Sequence, residues 1–246
     1  MTALVACVIP AYQAGRSVAT VAAGLRSSLP GALLVGVDDG STDATGVMLR
    51  ASCDAVVGFP LNRGKGAALR AGTLLALEQG AAVVVTIDAD GQHDPAAAPS
   101  LVSALTDADV VIGVRERAGS RMPTGRRLTN GASALAMGLA GGTALRDPQS
   151  GYRAYRRAVV EQIQARGERY EYESDLLLQA LRAGFRVAEV SVPTIYGPPS
   201  HFLPWRDSTR VVRTIARHCV LSLTRRGVVV SSLGRAAIAS GQDLAS

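Results

Sequence analysis

Aromatic side chains are scarce, and that alone removes one class of function. At 4% of residues they cannot floor a groove on which successive bases stack, as single-stranded nucleic-acid binders require. Cysteine is equally sparse. Cys7, Cys53 and Cys219 are scattered, odd in number and without metal-ligand spacing, so they read as small buried hydrophobes in a reducing compartment. No run reaches about 18 consecutive apolar residues, so a transmembrane helix is not expected. The first residues lack a basic segment leading into a long apolar one, so no signal peptide is expected either. The expectation is a cytoplasmic protein, with the inner face of a membrane as a peripheral site.

What is present points to anionic partners. Lys and Arg outnumber Asp and Glu by 26 to 20, a net charge of +6, which favours nucleotide or lipid phosphates. With 48% of its 246 residues hydrophobic, the chain can bury a substantial core. Short apolar runs alternate with longer Ala/Leu-rich segments, which predicts an α/β fold.

The most informative stretch is Val83 to Pro95. A β-branched run reads as a buried strand and stops at Asp88-Ala89-Asp90-Gly91-Gln92-His93. In an open α/β sheet, ligands bind beyond the carboxyl ends of strands. Asp88 and Asp90 are two apart, so an extended backbone sends both to one side. Such a pair suits a divalent cation that keeps waters and phosphates as its other ligands, and Gln92 adds a neutral oxygen.

In chain order, Val5 to Ile9 predicts a strand broken by Pro10-Ala11-Tyr12, and Gly15 to Leu29 a helix. Leu33 to Val37 predicts a second strand running into Asp38-Asp39-Gly40-Ser41-Thr42-Asp43, where Ser41 or Thr42 can cap the next helix. Ala55 to Gly58 predicts a short strand. Asn62-Arg63-Gly64-Lys65-Gly66 then opens a helix through Leu77, placing amides and the Lys65 cation near phosphate. The spacing around Lys65 is not that of a nucleotide-triphosphatase P-loop, and no Gly-x-Gly follows the first strand. Further on, Pro99 to Leu105 predicts a helix and Asp109 to Val114 a strand ending in Arg115. A Gly/Pro/Arg-rich loop spans Gly119 to Asn130, and a helix spans Leu128 to Leu139. Asp147-Pro148-Gln149-Ser150-Gly151-Tyr152-Arg153 reads as a polar turn leading into Tyr155, with a helix from Arg157. A helix from Leu176 to Ala183 and a strand from Val187 to Val192 complete the pattern. From Asp207, Val211, Ile215, Cys219 and Leu223 form one stripe, while Arg206, Arg210, Arg213 and Arg217 line another face. That segment is either a docking helix or an interfacial one drawn to anionic lipid.

The ordered set Val8-Ile9-Pro10-Ala11-Tyr12, Asp38 to Asp43, Asn62 to Gly66 and Asp88 to His93 resembles glycosyltransferase family 2. The Asp147 to Arg153 stretch is similar to the polyprenyl-phosphate sugar synthases within it. The resemblance covers roughly residues 4–205. It implies a GT-A fold with a mostly parallel central sheet flanked by helices. Residues 1–205 would form the catalytic domain, 1–114 its nucleotide-sugar half and 115–205 its acceptor half, and 206–246 an amphipathic helix and flexible tail. It implies that Pro10, Ala11, Tyr12 and Asp39 line the nucleoside pocket, with Asp88 and Ala89 near the ribose and diphosphate. Asp90 and Gln92 would hold Mg2+ or Mn2+. Arg115 and Arg127 would grip phosphate on the acceptor side, Ser200 would sit in a late loop, and Asp147 would lie beside the reacting sugar. The implied activity is inverting, metal-dependent transfer of a hexose from a nucleotide-diphosphate sugar to a polyprenyl phosphate. Two alternatives stay open: a glycan or small-molecule hydroxyl as acceptor, with Asp147 as general base, and a sugar nucleotidyltransferase. No nucleic-acid partner is expected.

Overall fold

The computed structural model describes residues 3–115, 138, 142–193, 195 and 209–218. Its strands are β1 (Val5–Ala11), β2 (Leu33–Asp38), β3 (Ala55–Gly58), β4 (Val83–Thr86), β5 (Val110–Arg115), β6 (Arg153–Arg156) and β7 (Val187–Val192). Its helices are α1 (Val18–Ser28), α2 (Thr45–Ser52), α3 (Lys65–Glu78), α4 (Ala98–Ala104), α5 (Arg157–Gln162), α6 (Glu171–Arg182) and α7, residues 209–218. The strands form one sheet in the order β3-β2-β1-β4-β6-β5-β7. Only β6 runs antiparallel to its neighbours.

The sheet divides the core into two layers because successive side chains leave opposite faces. Ala6, Val8, Val35, Val37 and Val84 pack under α3, α5, α6 and α7, with Leu69, Val159, Leu177, Val211 and Ile215. Cys7, Ile9, Leu34, Val85 and Val111 pack against Leu25 of α1, Leu49 of α2 and Leu101 of α4. The runs of β1, β2 and β4 are continuously apolar because both faces are covered.

Several expectations need correction. Pro10 does not break β1, which continues to Ala11. The Ala11 carbonyl faces β2, where it accepts from the Asp39 N–H at 2.9 Å. Pro10 therefore turns its nitrogen toward the β4 side, and the ladder there has already ended at Val8 and Thr86. The missing N–H costs no ladder bond. Neither Ser41 nor Thr42 caps α2. Asp43 accepts from Thr45 N at 3.0 Å, while Ser41 and Thr42 accept from Gln13 N and Nε2. The stretch leading into Tyr155 contains β6, an unanticipated strand. Finally, α6 starts at Glu171 rather than Leu176, which draws Glu173 and Asp175 into a packed helix. The expected loop at 119–130 and the expected helix at 128–139, apart from residue 138, lie outside the described residues.

Candidate active site

Four elements converge beyond the end of β4. Gly64, with φ of +106°, turns the chain into α3 and passes so close to residue 168 that a Cβ would lie 2.5 Å from the Glu168 carbonyl. The turn places Lys65 as the first residue of α3. Its Nζ lies 2.6 Å from Asp88 Oδ1 and 2.9 Å from Glu173 Oε2 on α6. The fourth element is the turn before β6. Thr86 Oγ1 donates to the Gly151 carbonyl at 3.0 Å. A Cβ on Gly151 would stand 2.5 Å from both Asp88 Oδ2 and Lys65 Nζ, so any other residue there would force this ion pair to shift.

Arg153, fully buried, fixes the turn to α6. Its Nε, Nη1 and Nη2 donate to the carbonyls of Ser150, Glu173 and Pro148 at 2.7, 2.8 and 2.8 Å. A buried guanidinium with all these donors matched is a structural brace.

Charge in the site is unevenly balanced. Burial opposes ionisation of Asp88, but the Lys65 ammonium outweighs it and holds the carboxyl below its ordinary range. Lys65 is itself pushed up, because Asp88 and Glu173 overcome its burial. Asp90 is pushed the other way, up from its ordinary value, by burial and by the Asp88 charge. Its Oδ1 accepts the Gln92 N–H at 2.9 Å, and the Gln92 carbonyl accepts from Ile195 N at 3.0 Å. Ser17 Oγ donates to the Ala89 carbonyl at 2.6 Å, tying the acidic loop to the entry of α1. His93 lies buried beneath, its ring 5.3 Å from that of Tyr152. Burial pushes its pKa down to about 4, with Asp88 pulling the opposite way.

An excess of negative charge at Asp90, held beside Asp88, fits a divalent cation. Among the described residues no group of three or more His, Cys, Asp or Glu side chains gathers as a closed metal cage. One or two carboxylates and an amide suit an ion that draws its remaining ligands from phosphate and water.

Asp39, expected at the nucleoside pocket, follows β2 directly. It is buried, and its carboxylate accepts from Asn62 Nδ2 at 2.9 Å, Arg63 N at 2.7 Å and Gly64 N at 2.8 Å. It shapes the loop that delivers Lys65. Burial nevertheless outweighs these hydrogen bonds and raises its pKa. Tyr12 stands partly exposed just past β1, with Pro10 and Ala11 buried behind it.

Arg115 and Asp147 form a bidentate pair, Nε to Oδ2 at 2.7 Å and Nη2 to Oδ1 at 3.0 Å. Glu189 of β7 accepts from the backbone N–H groups of Arg146 and Asp147 and from Arg146 Nε. Burial works against the Arg115 charge, but Asp147 more than restores it, and Asp88 and Asp90 add to that support. Arg115 thus sits within the field of the acidic loop. Arg127 and Ser200 lie outside the described residues. The side chain at the site that sequence reasoning missed is Glu173, through its contact with Lys65. Its signal was helical spacing, since Glu173, Leu177 and Ala180 follow i, i+4, i+7 and all three are buried.

A doubly covered, mostly parallel sheet with acidic residues and a buried lysine at one strand end fits a GT-A-type glycosyltransferase. A family model described as glycosyl transferase family 2 matches residues 6–164, and the chain belongs to that family. An undecaprenyl-phosphate mannosyltransferase of Micrococcus luteus is 36% identical over 199 residues, 75% of this chain and 81% of that protein. A polyprenol monophosphomannose synthase of Mycolicibacterium smegmatis is 31% identical over 198 residues, 75% of each. Among solved structures, glucosyl-3-phosphoglycerate synthase of Mycobacterium tuberculosis, in complex with Mn2+ and UDP, superposes with a TM-score of 0.73. It is 24% identical, with 88% of this chain and 80% of that one covered. That likeness shows the fold.

Proposed function

We propose that the protein transfers a hexose from a nucleotide-diphosphate sugar to a polyprenyl phosphate, inverting the anomeric carbon, with Mg2+ or Mn2+ bound. The observation that carries this reading is the acidic loop beyond β4. There Asp90 bears a charge that its surroundings oppose, while Asp88 is held ionised by Lys65. The likeness to polyprenyl-phosphate mannosyltransferases supports the acceptor class.

Asp90 and Gln92 would hold the cation, which when bound supplies positive charge to the departing diphosphate. Lys65 and Asp88 orient the donor from below, and Gly151 lets the chain approach both. In the transfer the acceptor oxygen bonds to the anomeric carbon as the bond to the donor diphosphate breaks on the opposite face. A phosphate acceptor arrives as an anion with no proton to surrender, so it needs cations more than a base. Arg115 fits that need, its guanidinium oriented by Asp147, and Arg127 is assigned the same task. The carboxylate of Asp147 is already engaged by Arg115 through both oxygens, which favours the phosphate over a hydroxyl acceptor. Asp39 would bound the nucleoside pocket through the loop it shapes, with Pro10, Ala11, Tyr12 and Ala89 as its walls and Ser200 on the acceptor side.

The test is transfer from a panel of nucleotide-diphosphate sugars to undecaprenyl phosphate or to the matching alcohol, with Mn2+ and with chelator. Product on the phosphate alone, lost on chelation, is expected. Product on the alcohol alone, or activity untouched by chelation, would defeat the reading.

No helix among the described residues is long and apolar enough to cross a membrane. Val211 and Ile215 of α7 are buried in the protein, while Arg210, Val212 and Arg213 face outward. Attraction to a membrane surface through α7 would therefore be mainly electrostatic. Sedimentation with anionic vesicles should fall steeply as salt rises. Salt-resistant sedimentation would contradict it.

A further inference from the structure

Lys65 brings one positive charge to the site, and two carboxylates share it. The donor reading uses Asp88 and leaves Glu173 unexplained. Glu173 is buried, with only one of its oxygens on Lys65. Its other oxygen, Oε1, is buried with no hydrogen-bond partner among the described residues. A buried carboxylate is expensive to maintain, and one oxygen left unmatched makes it more so. Neither charge nor shape is needed there for packing, since the neighbouring positions Leu176, Leu177 and Leu178 already fill the core.

The geometry points to Glu173 as a positioning residue for the donor site. It gives Lys65 a second carboxylate at 2.9 Å beside Asp88 at 2.6 Å, so that the lysine charge is shared rather than spent on Asp88 alone. The inference rests on the donor-site reading above and adds a residue to it. Three features hold Glu173 to this task. Arg153 Nη1 pins its backbone carbonyl at 2.8 Å. Leu177 and Ala180 on the same stripe anchor α6 against the sheet. Gly151 closes the seat from the side, where any Cβ would strike Lys65 and Asp88. With Glu173 present, the attraction of Lys65 is divided, and Asp88 can turn part of its charge toward the cation and the diphosphate. Without it, the Lys65 charge would be spent wholly on Asp88, already 2.6 Å away, and Asp88 would have less to offer the donor site.

The experiment compares wild type with Glu173→Gln and Glu173→Asp by calorimetric titration of Mn2+ in the presence of UDP or GDP, whichever the wild type binds. The melting temperature of each ligand-free protein is recorded alongside. Glu173→Gln keeps the shape and removes the charge. The Mn2+ concentration for half-saturation should rise about tenfold, the scale of one charge-assisted contact. Glu173→Asp keeps the charge but withdraws it by one methylene, and should raise the midpoint by less than tenfold over wild type, a comparison that stands even if the glutamine variant does not fold. A purely structural role would lower the melting temperature and leave the Mn2+ midpoint unmoved, and would overturn the inference. Undiminished binding by both variants would overturn it while leaving the donor reading intact. Failure of the wild type to bind either diphosphate with Mn2+ would overturn both.

Discussion

Helix α6 carries two buried carboxylates two residues apart, and they live in opposite circumstances. Asp175 is satisfied on every side. It accepts from Arg166 N at 2.6 Å, Gln179 Nε2 at 2.7 Å and His218 Nε2 at 2.8 Å, and it also pairs with Arg217. Arg182 lies 3.3 Å from the other ring nitrogen of His218. Glu173, facing the sheet ends, has one oxygen on Lys65 and one with no partner among the described residues, and Asp90 beyond it is pushed toward protonation. Both sites contain buried acid, so burial of charge does not separate structure from function here. What separates them is completeness. The side of α6 that holds α7 in place matches each donor to an acceptor, while the side facing the site leaves a carboxylate oxygen unmatched among the described residues, which is what the proposed donor site would use.

Removing a carboxylate from each side should therefore fail in opposite ways. The largest effect on activity is expected from Asp90→Ala. Loss of the proposed cation ligand should lower transfer by about a hundred- to a thousandfold, as measured by initial rates with saturating donor. The melting temperature should hold or rise, because one of two like charges has been taken away. A variant that keeps its activity, or that loses activity only by unfolding, would break the contrast.

Asp175→Ala should do the reverse. Deleting a fully buried acceptor strands His218 and the donors from Arg166 and Gln179, at a cost of about 3 kcal/mol in unfolding free energy. Denaturant unfolding measures this, and Mn2+ and nucleotide binding by the folded fraction should stay near wild type. The pH dependence has a defined sign. Burial tends to raise the Asp175 pKa, but hydrogen bonds from His218, Arg166 N and Gln179 override it and leave it below the ordinary value. The stability it contributes is then fully present above the unfolded carboxyl pKa of about 3.9 and lost as pH falls through the lower folded value. Wild type and Asp175→Ala should converge in stability only in that acid range. A stability difference that persists below it would show that packing, not charge, is what Asp175 provides.

The same contrast explains which parts were legible in the sequence. Strand ends that carry acid announce themselves, because β-branched runs such as Val83–Thr86 stop where Asp88 and Asp90 begin. The Arg63-Gly64-Lys65-Gly66 turn was legible for a similar reason, since glycines flanking one lysine at a helix start have few uses. The strand β6 was hidden because Arg153 and Arg156 bound it, and a charged residue reads as exposed. Only the fold supplies the three carbonyls that let Arg153 be buried. Glu173 was hidden by the aromatic and acidic Tyr170 to Asp175 run, which reads as a polar entry to a helix rather than its first turns. Pairings such as Arg115 with Asp147, 32 residues apart, leave no local trace at all.

Arg127→Ala tests the acceptor role proposed for Arg127, and its expected effect is smaller. If a phosphate is drawn there, Arg127→Ala should cost about 1.5–3 kcal/mol in transition-state stabilisation, the scale of a hydrogen bond to a charged group. The loss should appear in kcat/KM for undecaprenyl phosphate, with nucleotide affinity nearly unchanged. Equal loss of nucleotide affinity would move Arg127 to the donor side and redraw the boundary between the two halves.

The smallest effect, and the one that decides the chemistry, is expected from Asp147→Asn. Asp147 is buried and bound through both oxygens to Arg115, so its first task is to hold that guanidinium in plane. An asparagine keeps one acceptor oxygen and the shape, while Glu189 still fixes the turn through the Arg146 and Asp147 N–H groups. The expected loss is then about 1 kcal/mol, roughly fivefold, the difference between a charge-assisted and a neutral hydrogen bond. It should fall mainly on KM for the acceptor, and the pH profile of kcat should keep its shape, since the proposed phosphate acceptor passes no proton through Asp147. A general base behaves otherwise, because removing one lowers kcat by about a hundred- to ten-thousandfold and erases a limb of the pH profile. Rates for Asp147→Asn across pH, with undecaprenyl phosphate and with undecaprenol, separate the two. Collapse of kcat together with loss of the limb would make Asp147 the base for a hydroxyl acceptor. Arg115 would then be its partner rather than its purpose.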